Sequence, residues 1–261
     1  MIKHIDRQDC SVHYDLLGAD NAQTVAFLHG YGVDRSMWQS QLAALTDYKL
    51  INIDIRGHGQ SQPCGHFSIR SAAQDLRAIL ETEQSENAIL IGLSMGGYVV
   101  QEYAAEYGGA RGYWLIGSTP MFLPCYAAWE KLSLKYAGAL MKLYPWKTLK
   151  DTIAKSSTHT PEAQEIVRPM IDKMEKPDFI RFWDGVATCL YERDVTFDAP
   201  LMFSRGAQDV QGTVKLHTKD WQKGYPNCEI KLIPNAAHIA NLDNPAAFNQ
   251  IMLEFIQKCS P

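Results

Sequence analysis

The chain has 261 residues, of which 46% are hydrophobic and 21% charged, with a formal net charge of −4. This is an ordinary globular balance, enough to bury a sizeable core without disulfides or metals. The negative charge and the dispersal of the basic residues exclude nucleic acid or an anionic membrane as an electrostatically driven partner.

The first residues, Met1–Arg7, lack the apolar core of a secretory signal, and no apolar stretch approaches the ~18 residues of a membrane span. Six cysteines (Cys10, Cys64, Cys125, Cys189, Cys228, Cys259) are scattered without a Cys-x-x-Cys pair. Reduced thiols in a cytoplasmic protein are therefore expected, with no metal site and no disulfide framework.

In chain order, six short apolar runs end in glycine or polar loop residues: Thr24–Leu28, Lys49–Ile55, Ala88–Ile91, Gly112–Ile116, Leu201–Ser204 and Glu229–Ile233. Continuous apolar character over about five residues suits strands covered on both faces, as in a parallel sheet. Helical stripes lie between them. Trp38, Leu42 and Leu45 follow possible N-caps at Asp34 or Ser36, and Ala72, Ala73, Leu76, Ile79 and Leu80 form a second stripe. Val99, Val100, Tyr103, Ala104 and Tyr107 form a third, stopped by Gly108-Gly109. At the end, Asn244 can cap a helix whose first residue is Pro245 and whose buried face carries Phe248, Ile251, Met252, Phe255 and Ile256. Such alternation predicts an α/β fold, a mostly parallel central sheet flanked by helices.

The alternation breaks between about Pro120 and Ala199. Helical runs such as Ala127–Leu143 and Pro161–Met174, punctuated by prolines and rich in aromatics, occupy this stretch without a convincing strand. The expected organisation is a core of residues 1–120 and 199–261 with a helical cap, or lid, inserted over 121–198. A plain helical subdomain filling its own core is the alternative.

The segment Gly92-Leu93-Ser94-Met95-Gly96-Gly97 contains Gly-x-Ser-x-Gly, which chance alone supplies in roughly one chain in ten of this length. Its context is more informative. A strand candidate precedes Ser94 and a helical stripe follows it, the strand-to-helix turn that presents a nucleophile. A serine needs a base, and His238 lies just past the run Glu229–Ile233, on the sheet edge where Ser94 emerges. The base needs an orienting carboxylate, and Asp209 follows Leu201–Ser204 on the same edge. Asp194, Asp198 and Asp220 are weaker rivals, since none directly follows a core strand. The other histidines, His4, His13, His66, His159 and His217, are expected at the surface, and His29 as a loop brace. In His29-Gly30-Tyr31-Gly32, the Tyr31 backbone N–H can converge with that of Met95 on a developing oxyanion.

These motifs, with Asp54-Ile55-Arg56-Gly57-His58-Gly59-Gln60-Ser61, Gly206-Ala207-Gln208-Asp209 and Ala237-His238 before Asn244-Pro245, together resemble the α/β-hydrolase superfamily over essentially the whole chain. The resemblance implies that the Asp54–Ser61 stretch is a structural loop and that no cofactor is needed. Within the superfamily, Gly92–Gly97 and the His238 region look most like the enol-lactonase and small carboxylesterase branch, with Ala237 where glycine is frequent. The implied activity is hydrolysis of a small-molecule carboxylic ester or lactone through an acyl-enzyme. A carbon–carbon bond hydrolase with the same triad, or a ligand receptor with negligible turnover, are the competing readings; Leu93, where the carbon–carbon hydrolases often carry Asn, weighs mildly against the first.

Overall fold

The computed structural model describes residues 1–20 and 22–260. An N-terminal hairpin, β1 (Ile2–Arg7) and β2 (Cys10–Leu17), leads into β3 (Thr24–Leu28). Next come a turn of 3-10 helix (Arg35–Trp38), α1 (Gln39–Ala43), β4 (Lys49–Ile53), α2 (Ile69–Thr82), β5 (Ile89–Leu93), α3 (Met95–Glu106) and β6 (Gly112–Ile116). Four helices follow: α4 (Ala128–Leu143), α5 (Trp146–Ser157), α6 (Pro161–Asp172) and α7 (Lys176–Ala187). The chain then closes with β7 (Leu201–Gly206), α8 (Thr218–Gly224), β8 (Glu229–Ile233), α9 (Ala240–Asp243) and α10 (Pro245–Cys259).

The strands make one eight-stranded sheet in the order β1-β2-β4-β3-β5-β6-β7-β8. β2 pairs antiparallel with β1 and β4, and every other pair is parallel. All six strands expected from apolar runs are present, three with the expected ends and three with ends shifted by one or two residues. From β3 to β7 every strand residue is buried, which is why these segments read as continuous apolar runs. The hairpin carries no such run, because its residues alternate between better and worse covered positions, the signature of a strand with one face packed.

Side-chain alternation feeds two separate cores. Val25 and Phe27 of β3, Ile89 and Ile91 of β5 and Trp114 of β6 pack on one face with Trp38, Leu42, Phe248 and Met252. Ala26, Leu28, Leu90, Tyr113 and Leu115 pack on the other with Leu76, Ile79, Val99 and Tyr103. Each fully buried Leu, Ile or Phe contributes about 1.5–3 kcal/mol over its exposed state, so these two layers hold the sheet.

Local chemistry sets the helix starts. Asn244 Oδ1 accepts from the Ala247 amide at 3.1 Å and Pro245 occupies the first turn, as the sequence predicts. The Trp38 stripe begins tighter than a helical stripe implies, as a 3-10 turn capped by Asp34, which accepts from the Ser36 amide at 3.0 Å. The stretch between β6 and β7 is helical throughout its regular structure among the described residues. All six cysteines are free thiols. Among the described residues no helix is long and apolar enough to cross a membrane.

Candidate active site

Ser94 sits between the last residue of β5 and the first of α3, with φ +52° and ψ −112°. A non-glycine residue there stores about 1–3 kcal/mol of strain and persists only where its surroundings over-determine it. Its amide donates to the Ile116 carbonyl at 2.6 Å, pinning the turn to β6. Two glycines make the turn possible: a Cβ on Gly92 would overlap the Gly96 carbonyl, and one on Gly96 would overlap the Leu28 carbonyl. The turn thus lies flat against the end of β3, and α3 points its free N-terminal amides at the serine.

Asp209 and His238 come from two loops that are stitched together. The Gln208 amide donates to the Ala236 carbonyl at 2.9 Å, and the Ala236 amide donates to Gln208 Oε1 at 2.8 Å. Gly206 lets the loops touch, since a Cβ there would run into the Ala236 and Ala237 carbonyls. His238 Nδ1 consequently lies 3.0 Å from Asp209 Oδ2, while Oδ1 accepts from the Gln211 amide at 2.9 Å. Asp209 is 1% exposed. Burial works to raise its carboxyl, but the neighbouring His238 charge, the two hydrogen bonds and the Arg205 charge hold it below the ordinary carboxylate value. Beneath the ring, Gly117 at φ +59° leaves space that a Cβ would close to 3.0 Å from His238 Cε1. Ser94 and His238 open into the same cavity, although Ser94 Oγ makes no hydrogen bond to the ring among the described residues. Such contacts commonly tighten only when substrate is bound.

Two of the rival carboxylates are committed elsewhere, and Asp194 is exposed. Asp198 accepts from the Tyr113 hydroxyl at 2.8 Å and the Gly109 amide at 2.9 Å, and Asp220 pairs with His217.

Gly30 lies close to the serine turn, and a Cβ there would press to 3.0 Å from Leu93 Cδ2. The backbone N–H groups of Tyr31 and Met95 have no acceptor among the described residues, the condition an oxyanion site requires. His29 braces this loop. Its Nε2 accepts from the Ile55 amide at 2.9 Å and its Nδ1 faces the Gly30 carbonyl at 2.7 Å, so the ring is the neutral Nδ1–H tautomer. Burial pushes His29 down to about 4. The Asp54–Ser61 stretch is structural, as its resemblance implies. Asp54 accepts from the Arg35 amide at 2.9 Å and the Gln60 amide at 2.8 Å, and Arg56 is clamped on Asp75 at 2.6 and 3.0 Å.

One histidine departs from expectation. His217 is buried, not at the surface: its Nδ1 lies 2.8 Å from Asp220 and its Nε2 2.7 Å from Glu130 of α4. Cys125 joins this group, so that Cys125, His217 and Asp220 place possible metal-ligand atoms within 4.8 Å of one another. Both ring nitrogens already face carboxylates, Asp220 and Glu130, and burial pushes the Cys125 thiol up to about 11.

The cavity over Ser94 measures about 250 Å³. Its floor includes Tyr31 and Met95, and its roof is drawn from all four helices between β6 and β7, with Leu134, Ile153, Val167 and Phe179 among them. Sequence reasoning named Phe179 only among the aromatics of this stretch and placed none of these residues in the pocket, nor Tyr98 and Thr119, whose side chains bond at 2.8 Å on the cavity wall. Apolar helix positions read the same whether they face a core or a substrate.

With this geometry in hand, the comparisons define the class: residues 25–251 match the alpha/beta hydrolase family, and the chain belongs to it. Among curated relatives, it is 24% identical to 3-oxoadipate enol-lactonase 1 of Acinetobacter baylyi over 97% of this chain and 95% of that protein. It is 28% identical to 3-oxoadipate enol-lactonase 2 of the same organism over 93% and 91%. Among solved structures, a thermophilic esterase from Thermogutta terrifontis superposes with a TM-score of 0.84 over 99% of this chain and 100% of that one, at 20% identity.

Proposed function

We propose that the chain hydrolyses a carboxylic ester or lactone through an acyl-enzyme on Ser94. The observation that carries this reading is the strained Ser94 turn opening into the same cavity as the Asp209–His238 pair. Ser94 Oγ attacks the carbonyl while His238 Nε2 takes its proton; Asp209 holds the imidazole tautomer and stabilises the cation that forms. The amides of Tyr31 and Met95 receive the oxyanion, each worth about 2.7–4 kcal/mol in the barrier. His238 then protonates the leaving oxygen and later activates the water that frees the acid. The relatives' lactonase and esterase names support the same chemistry. In this reading the four helices between β6 and β7 act as the cap that encloses the substrate.

The test is hydrolysis of p-nitrophenyl acetate and butyrate with covalent labelling by an alkyl fluorophosphonate. Wild-type protein should turn over and be labelled on Ser94, and Ser94→Ala should lose at least roughly a thousandfold in kcat. Turnover that survives Ser94→Ala sinks the assignment.

A further inference from the structure

None of the described residues lining the cavity is Lys, Arg, Asp or Glu. Above Ser94 the wall is hydrocarbon and aromatic, with Leu134 and Met141 from α4, Ile153 from α5, Val167 from α6, and Phe179 and Trp183 from α7. Apart from His238, the polar groups that reach it are uncharged hydroxyls and amides, largely satisfied within the protein. Tyr98 bonds Thr119, Ser157 Oγ donates to the Ile153 carbonyl at 2.6 Å, and Gln211 Nε2 donates to Ser156 at 2.8 Å. Several cations on or just after these helices are already paired, and others, such as Lys135, Lys147 and Lys155, do not line the cavity. Arg168 binds Asp151 at 2.7 Å, Lys173 binds Asp34 at 2.6 Å, and Lys150 binds Asp172. Among the described residues, no Lys or Arg side chain lines the cavity to receive an anionic substrate. At about 250 Å³ it is also smaller than the ~300–1,000 Å³ of pockets for drug-sized ligands.

Resting on the acyl-enzyme reading above, we propose that this site takes small, uncharged esters or lactones with an apolar acyl part and rejects those that keep a free carboxylate. The proposal separates the chain from its named relatives. 3-Oxoadipate is a dicarboxylic acid, and its enol-lactone retains one carboxylate, which would enter this cavity without a partner. An unpaired buried charge is among the most heavily penalised groups a protein can hold. Met141 is a specificity-determining position in this account, because it is half-buried on α4 and a lysine has nearly its shape.

The experiment compares kcat/KM at neutral pH for p-nitrophenyl hexanoate, methyl p-nitrophenyl adipate and p-nitrophenyl hydrogen adipate, following nitrophenolate release. The last two differ by one methyl group and one charge. The two neutral esters should agree within about tenfold, and the hydrogen adipate should fall about a hundredfold or more below its methyl ester. In Met141→Lys, with its fold checked by fluorophosphonate labelling of Ser94, that ratio should shift by about tenfold or more towards the anion. Comparable wild-type rates for charged and neutral adipates overturn the proposal, as does an unchanged ratio in labelled Met141→Lys. If Ser94 is labelled but no ester is cleaved, the pocket assignment fails while the nucleophile stands. Failure of the label as well as of turnover removes the acyl-enzyme reading itself.

Discussion

Acidification should strike the loop beside Ser94 before it strikes the sheet. The His29 ring must be neutral, because its Nε2 accepts the Ile55 N–H while its Nδ1–H meets the Gly30 carbonyl. Its folded-state pKa is lowered by burial from 6.5 to about 4. His58, with its ring centroid 5.2 Å away, is lowered to about 3, by burial and then by repulsion from His29. Both folded values lie below the unfolded one, so the unfolded chain binds more protons across this window. The stabilisation is complete above pH 6.5 and drains as pH falls towards 4 and 3. At 1.36 kcal/mol per pH unit, His29 alone accounts for about 3 kcal/mol, a large share of the 5–15 kcal/mol that holds a typical domain. The assay is urea unfolding followed by tryptophan fluorescence, from about pH 7.5 down to 4.5, on wild type, His29→Gln and His58→Gln. Wild type should lose stability steeply through this range. Each variant should start lower and show a shallower slope, since it has lost a titrating group. Activity per folded molecule should fall with the wild-type transition, because a proton on Nε2 removes the Ile55 bond that supports the Tyr31 amide. A flat wild-type profile, or slopes equal in wild type and both variants, would refute the reasoning.

Three further outcomes follow from other contacts. Asp209→Asn keeps the shape of the side chain but loses the charge that fixes the His238 tautomer; kcat should drop about ten-thousandfold with KM little changed, in steady-state ester hydrolysis. Gly96→Ala drives a Cβ into the Leu28 carbonyl and towards that of His29, both rigid backbone, so thermal unfolding should show a loss of at least about 1–3 kcal/mol together with reduced activity. Full activity at wild-type stability in that variant would contradict the turn geometry. Arg56→Ala leaves buried Asp75 with Arg7, 3.0 Å away, as its remaining ion-pair partner among the described residues, so chemical denaturation should show a loss of about 1–3 kcal/mol, with kcat/KM per folded molecule changed only a few-fold.

What could be read in the sequence, and what could not, divides along a physical line. Strands β3 to β7 were legible because both faces are covered, so most of their positions are apolar. Ser94 and Asp209 were legible as candidates because each follows such a strand and His238 because it follows the less buried β8, and parallel strands deliver their ends to one edge. The hairpin β1–β2 was not, since an edge element needs only one apolar face and its alternation is weak. His217 shows the same limit more sharply. It is buried because Glu130, 87 residues earlier, and Asp220, three residues later, meet it from different helices. No local pattern around position 217 records a partner that arrives through tertiary packing. The cavity roof is harder still. Leu134, Ile153 and Val167 occupy ordinary inward positions on α4, α5 and α6, and the difference between filling a core and facing a substrate is whether another side chain fills the space opposite. In the proposed reading, chemistry at Ser94 is encoded locally, by strand ends and glycines. Selectivity is then encoded by what the four helices between β6 and β7 leave empty, and by the charges they keep away from it.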